Sequence, residues 1–76
     1  MADHKKMFKM ISLNIAYYRK LADLTQRELA EKINISTAQV SRIEAKNLKD
    51  FTSFDTLFDI AEALDIPVYK FFVPKD

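Results

Sequence analysis

The chain has no glycine in 76 residues, and that absence restricts its backbone more than any other feature. Glycine enters left-handed and strained conformations without steric cost. Without it, glycine-rich phosphate loops, nucleophile elbows and most tight β-hairpins are out of reach. Cysteine is also absent, and the one histidine is His4, near the N-terminus. Disulfide staples, thiolate metal sites and histidine-based zinc sites are excluded with them, so no metal and no other cofactor is expected. A short chain without staples relies on tight helix packing or oligomerisation. Residues 1–76 are expected to form one domain, leaving no length for an effector-binding or enzymatic unit.

The apolar residues recur at helical spacing. Met7, Ile11, Ile15 and Tyr18, widened by Phe8, Met10 and Leu21, predict an amphipathic helix over about residues 6–21. Met7 and Met10 are expected in the core or at its edge. Thr25-Gln26-Arg27-Glu28 is a capping box that opens a second helix, with Leu29, Ala30 and Ile33 on its buried side. Asn34 interrupts, and asparagine tolerates the left-handed conformation that closes a helix. Ser36-Thr37-Ala38-Gln39 forms another box, opening a third helix that runs through Val40 and Ile43 to Glu44 or Ala45. A polar loop follows over 46–52. A fourth helix starts at Thr52 or Ser53 and carries Leu57, Ile60, Ala61 and Leu64 inward. Pro67 suits the first turn of a last short helix holding Val68, Phe71 and Phe72. The expected fold is all-α, with five short helices and no strand.

Charge adds direction. A net charge of +1 favours neither nucleic acid nor membrane, but residues 1–50 carry ten basic and six acidic residues, and residues 51–76 two and five. A basic half and an acidic half suit one face turned to a polyanion and another turned away. The N-terminal apolar stretch is broken by Lys9, Asn14 and Arg19, too often for a signal segment and too short to span a bilayer. No membrane partner is expected. The cytoplasm is the expected compartment, which the lack of cysteine suits. Asp55, Asp59 and Glu62 share a helical face that reads as solvated, because no nucleophile or histidine accompanies them. No catalytic constellation exists, and the chain is not expected to be an enzyme.

Two short capped helices separated by one left-handed-tolerant residue are the sequence form of a helix-turn-helix, here at about residues 25–45. Ala30 stands where those helices cross closely, and a larger side chain would push them apart. The run Leu24-Thr25-Gln26-Arg27-Glu28-Leu29-Ala30-Glu31-Lys32-Ile33-Asn34-Ile35-Ser36, followed by Val40-Ser41-Arg42-Ile43-Glu44, resembles the phage repressor and Cro-type helix-turn-helix family. Ile60-Ala61-Glu62-Ala63-Leu64-Asp65-Ile66-Pro67 is similar to that family's fourth helix and its junction with the fifth. The likeness extends from about Ile15 to Phe72 and implies a five-helix lambda-repressor-like domain that binds double-stranded DNA.

Residue roles follow from the resemblance. It puts Gln26 on a DNA phosphate, with Thr25 and Gln39 as further phosphate contacts. It puts Thr37, Ala38, Ser41 and Arg42 at base edges. An arginine can bond guanine bidentately, and an alanine can touch a thymine methyl. Lys46, Asn47 and Lys49 fall where relatives meet backbone phosphate, although the loop is longer here and the family's usual glycine near position 46 is missing. Arg19 and Glu44 match a structural ion pair that locks the third helix to the first. From the residues alone, Gln26 also reads as a solvated first-turn residue. Arg42 also reads as a partner for Glu31 or Glu44, or as a phosphate contact.

Phe51, Phe54, Phe58, Tyr69, Phe71 and Phe72 crowd the last 26 residues, more aromatic surface than so small a core takes up. A symmetric dimer through Phe58, Tyr69, Phe71 and Phe72 is the natural use, and the family tends to dimerise through its C-terminal helices. The expected function is a transcriptional repressor that binds a palindromic operator as a homodimer through the major groove. The alternative is a protein-interaction module that retains the fold without binding DNA. The small net charge favours that alternative; the small, polar or basic residues of the third helix oppose it.

Overall fold

The computed structural model describes residues 4–45 and 53–75. They form four α-helices, α1 (Lys5–Leu21), α2 (Gln26–Ile33), α3 (Thr37–Glu44) and α4 (Phe54–Ala63), followed by a 3-10 helix (Val68–Phe72). No strand occurs among the described residues, and none of their helices is long and apolar enough to cross a membrane. The expectation of a fifth α-helix is corrected: that segment is a five-residue 3-10 helix. A continued α-helix would need an amide at position 74 for the Lys70 carbonyl, and Pro74 has none. Asn14 of α1 supports the carbonyls of this segment, its Nδ2 donating to those of Phe71 and Val73, each at 2.9 Å, and lying 3.5 Å from that of Lys70.

The helix starts follow local chemistry. Thr25 Oγ1 accepts from the Glu28 amide at 3.0 Å and the Thr25 amide donates to Glu28 Oε1 at 2.8 Å, completing the first box. At α3 only the forward bond forms, Ser36 Oγ accepting from the Gln39 amide at 3.0 Å. Ser53 caps α4 in the same way through the Thr56 amide.

The helix ends solve the glycine problem three times over. Asp23, Asn34 and Asp65 adopt φ of 61°, 61° and 57°. At each, the left-handed residue's amide bonds three residues back and the next amide bonds five back: Leu24 to Arg19, Ile35 to Ala30, Ile66 to Ala61. These are Schellman closures, built on Asp or Asn because their short polar side chains tolerate this backbone. The residue after each closure is aliphatic, and Leu24, Ile35 and Ile66 all pack against the core.

The principal packing partners close a ring: α3 on α2, α2 on α4, α4 on the 3-10 helix, that helix on α1, and α1 on α3. Inside lie Ile11, Ile15, Leu29, Ala30, Val40, Ile43, Leu57, Ile60, Ala61, Leu64 and Phe71. Phe71, expected at a dimer contact, is instead fully buried and packs near Tyr18. The ring of α1, α4 and the 3-10 helix closes over it, so it is a core residue. Met7, expected in the core or at its edge, is exposed, as is Phe8: Met7 shares the face of Ile11 and Ile15, but both residues lie in the first turn of α1, a turn before the buried stretch begins.

Candidate nucleic-acid interface

The third helix is fixed from behind. Val40 and Ile43 point into the core, and by helical periodicity Ala38, Ser41 and Arg42 point away from it, with Thr37 at the flank. Thr37, Ala38, Ser41 and Arg42 are all exposed. The four positions named for base contact therefore lie on the outward side of one short helix. None is a large apolar residue. Gln39 is half-buried at the third position of α3, where its amide is engaged by Ser36.

Glu44 ends α3 and is the hinge pin of this geometry. Its Oε2 accepts from Arg19 Nε at 2.7 Å and its Oε1 from Arg19 Nη2 at 3.0 Å, a two-pronged pair joining α3 to α1. The side chains are only 8% and 5% exposed. Oε1 accepts a further bond from Gln26 Nε2 at 3.0 Å, so α2 is tied to the same carboxylate. The remaining prong of Arg19 donates through Nη1 to the carbonyl of Leu24, at the turn that leads into α2. One carboxylate and one guanidinium thus fix α1, the α1–α2 turn, the start of α2 and the end of α3. A guanidinium and a carboxylate match as planar forks, which sets orientation as well as energy.

This arrangement bears on two neighbouring residues. Gln26 is half-buried rather than a free surface amide, and its carboxamide is oriented by Glu44. One Nε2 hydrogen goes to Glu44, leaving a second amide hydrogen to donate at the positive end of α2. Arg42 forms no ion pair among the described residues, since Glu44 is taken by Arg19 and Glu31 pairs with Arg27 at 3.4 Å. Thr25 is exposed; its oxygen accepts from the Glu28 amide, and its hydroxyl bonds the Glu28 carboxyl. Lys46, Asn47 and Lys49 lie outside the described residues, as does Phe51.

Several features were not anticipated from the residues. The bond from Gln26 to Glu44 and the third contact of Arg19 join positions that no local pattern links. Asn14 is buried and bonded to the chain's last residues, with Oδ1 accepting from Lys75 Nζ at 2.8 Å. An asparagine on the apolar side of an amphipathic helix was the available signal, since a buried amide needs partners.

A family model described as helix-turn-helix matches residues 15–71. Comparison with curated proteins gives no match. Among solved structures, the crystal structure of a hypothetical transcription factor, NHTF from Neisseria, superposes with a TM-score of 0.81. It is 22% identical, and the superposition covers 97% of this chain and 83% of that one, a likeness of fold. Capped α2 and α3, the left-handed Asn34 between them and the family match over most of the length converge, and the chain belongs to the Cro/C1-type helix-turn-helix family of DNA-binding domains.

Proposed function

We propose that the chain is a sequence-specific transcriptional regulator that represses by occupying a palindromic operator as a homodimer. The observation that carries this reading is the outer face of α3. Four exposed residues of suitable chemistry stand on a helix whose rear is locked by buried bonds, and the one cation among them, Arg42, is not neutralised by Glu31 or Glu44. Fixed placement of a helix in the major groove is what base readout requires. In this reading Arg42 bonds a guanine edge, Ala38 meets a thymine methyl, and Thr37 and Ser41 bond according to the base they face. Gln26, Thr25 and Gln39 hold phosphates from the starts of α2 and α3, with Lys46, Asn47 and Lys49 adding charge beyond α3. Such a regulator works in the cytoplasm, in the same compartment as the DNA it controls.

Homodimerisation sets the site length. Phe58, Tyr69 and Phe72 are exposed and remain the dimer candidates once Phe71 is assigned to the core. A two-fold dimer puts the recognition helices about one DNA turn apart, roughly 34–36 Å. The test is selection from a pool of random duplexes, repeated at low and high salt. Enrichment of a palindrome with half-sites one turn apart supports the proposal. A steep salt dependence without an enriched sequence makes the chain a nonspecific binder. No binding even at low salt overturns DNA recognition and leaves the protein-interaction reading.

A further inference from the structure

Two helices of this chain carry opposite charge without exception. Lys5–Leu21 includes five basic residues and no acidic one, whereas Phe54–Ala63 includes Asp55, Asp59 and Glu62 and no basic one. Both also turn apolar side chains outward. On α1, Lys6, Met10, Leu13, Tyr17 and Leu21 follow at steps of three or four and so share a face. Leu21 is 68% exposed, Leu13 and Tyr17 are exposed, and Lys9 and Lys20 edge the stripe. A groove runs along it between α1 and the C-terminal Pro74 and Lys75, with Met10 and Leu13 in its lining. On α4, Phe54 is 71% exposed and stacks on Phe58 with ring centroids 6.2 Å apart. Asp55, Asp59 and Glu62 are exposed beside them.

Single exposed apolar residues need no explanation, but a stripe on a helix does. Here each stripe has its complement on the other helix: apolar with lysines on α1, aromatic with carboxylates on α4. The 3-10 helix packs against both α1 and α4 and exposes Tyr69 and Phe72 between them in the ring. We propose that two copies meet reciprocally, the lysine-edged stripe of α1 in each covering the aromatic, acidic face of α4 in the other, with Tyr69 and Phe72 near the two-fold axis. The occupant of each face is therefore a second copy of this chain. A two-fold axis makes the contact twice and closes the assembly at two subunits, whereas a head-to-tail version of the same contact would propagate. The inference rests on the homodimer of the preceding section and specifies its surface and its chemistry.

The test needs no DNA. Sedimentation equilibrium of the full chain is compared with two charge-reversed variants, Lys6→Glu/Lys9→Glu on α1 and Asp59→Lys/Glu62→Lys on α4. These positions are exposed, and the new charges suit the helix ends they approach, so folding is retained and is checked by circular dichroism. The wild type is expected to be dimeric, with the dimer weakened at least about tenfold between roughly 0.05 and 0.5 M NaCl by screening. Each variant alone is expected to be monomeric, because both of its contacts become like-charged. An equimolar mixture is expected to form a one-to-one heterodimer, because both contacts become opposite-charged again. Variants that stay dimeric, or a mixture that stays monomeric, overturn the α1–α4 contact while leaving the dimer itself standing. A monomeric wild type overturns both. Open-ended polymers overturn the two-fold arrangement.

Discussion

Replacing Glu44 by alanine leaves the Arg19 guanidinium buried with only the Leu24 carbonyl as partner, and frees the Gln26 amide. The side chains of the pair are 8% and 5% exposed, so water does not readily take the place of the lost carboxylate. Breaking a buried pair by removing one partner costs about 3–5 kcal/mol. A domain of this length has a total stability of roughly 4–11 kcal/mol, scaled from typical per-residue values. The loss is therefore about half of what holds the fold together. With a urea slope near 1 kcal/mol per molar for a small domain, the midpoint of unfolding falls by about 3 M or more. Arg19→Met strands the carboxylate instead and costs a similar amount. The double variant Arg19→Met/Glu44→Leu strands neither charge, and it is expected within about 1 kcal/mol of the wild type, because apolar replacement of a whole buried pair is often neutral. The coupling from a double-mutant cycle of urea melts is the quantity to read. A cost under about 1 kcal/mol for Glu44→Ala, or a double variant no better than the singles, refutes the claim that this pair locks the helix-turn-helix.

Three further outcomes follow from the fold. Asn34→Ala keeps the left-handed turn but loses the residue suited to it, and chemical melts should show a loss of about 1 kcal/mol, whereas Asn34→Gly should be neutral or better. Phe71→Ala empties the core and is expected to cost about 3–5 kcal/mol at any protein concentration, while Tyr69→Ala leaves the monomer's stability nearly unchanged and weakens only self-association. The Glu28 carboxyl is held below the ordinary carboxylate range, first by its bond from the Thr25 amide and then by the Thr25 hydroxyl, with Lys32 adding to them. A lowered folded-state pKa means that the box stabilises fully above the unfolded glutamate value and fades as pH falls through the folded one. Thermal melts from neutral to about pH 3 should therefore show a smaller acid loss in Glu28→Gln than in the wild type.

The parts of the fold legible in the residues were those written locally. The box at Thr25–Glu28, the Ser36 cap, the Asn34 turn and the apolar spacing of α1 and α4 are short-range patterns, and each helix begins within about two residues of its expected start. The closures at Asp23 and Asp65 were equally local and went unread. Asp23-Leu24 and Asp65-Ile66 repeat the pairing of Asn34-Ile35, an acid or amide followed by an aliphatic, just where a helical stripe ends. The character of the last helix depended on Pro74 and on a carboxamide 57 positions upstream of Phe71, which no local window joins. Phe71 and Phe72 illustrate the same limit. Adjacent and identical in type, they differ only in which one the ring of helices closes over. Around the candidate site, helical spacing placed Ala38, Ser41 and Arg42 on the exposed side of α3, but the fixing of Gln26 by Glu44 arises only when three elements meet.

The central claim is that α3 reads base edges. Its most direct test is to repeat the duplex selection with Arg42→Ala and to compare base preference position by position. Arg42→Ala is expected to relax the preference for guanine at one position of each half-site, costing about 1–3 kcal/mol on the selected operator and little on unrelated DNA. An unchanged base preference with uniformly weaker binding would contradict the account, making Arg42 a phosphate contact and sending base recognition elsewhere.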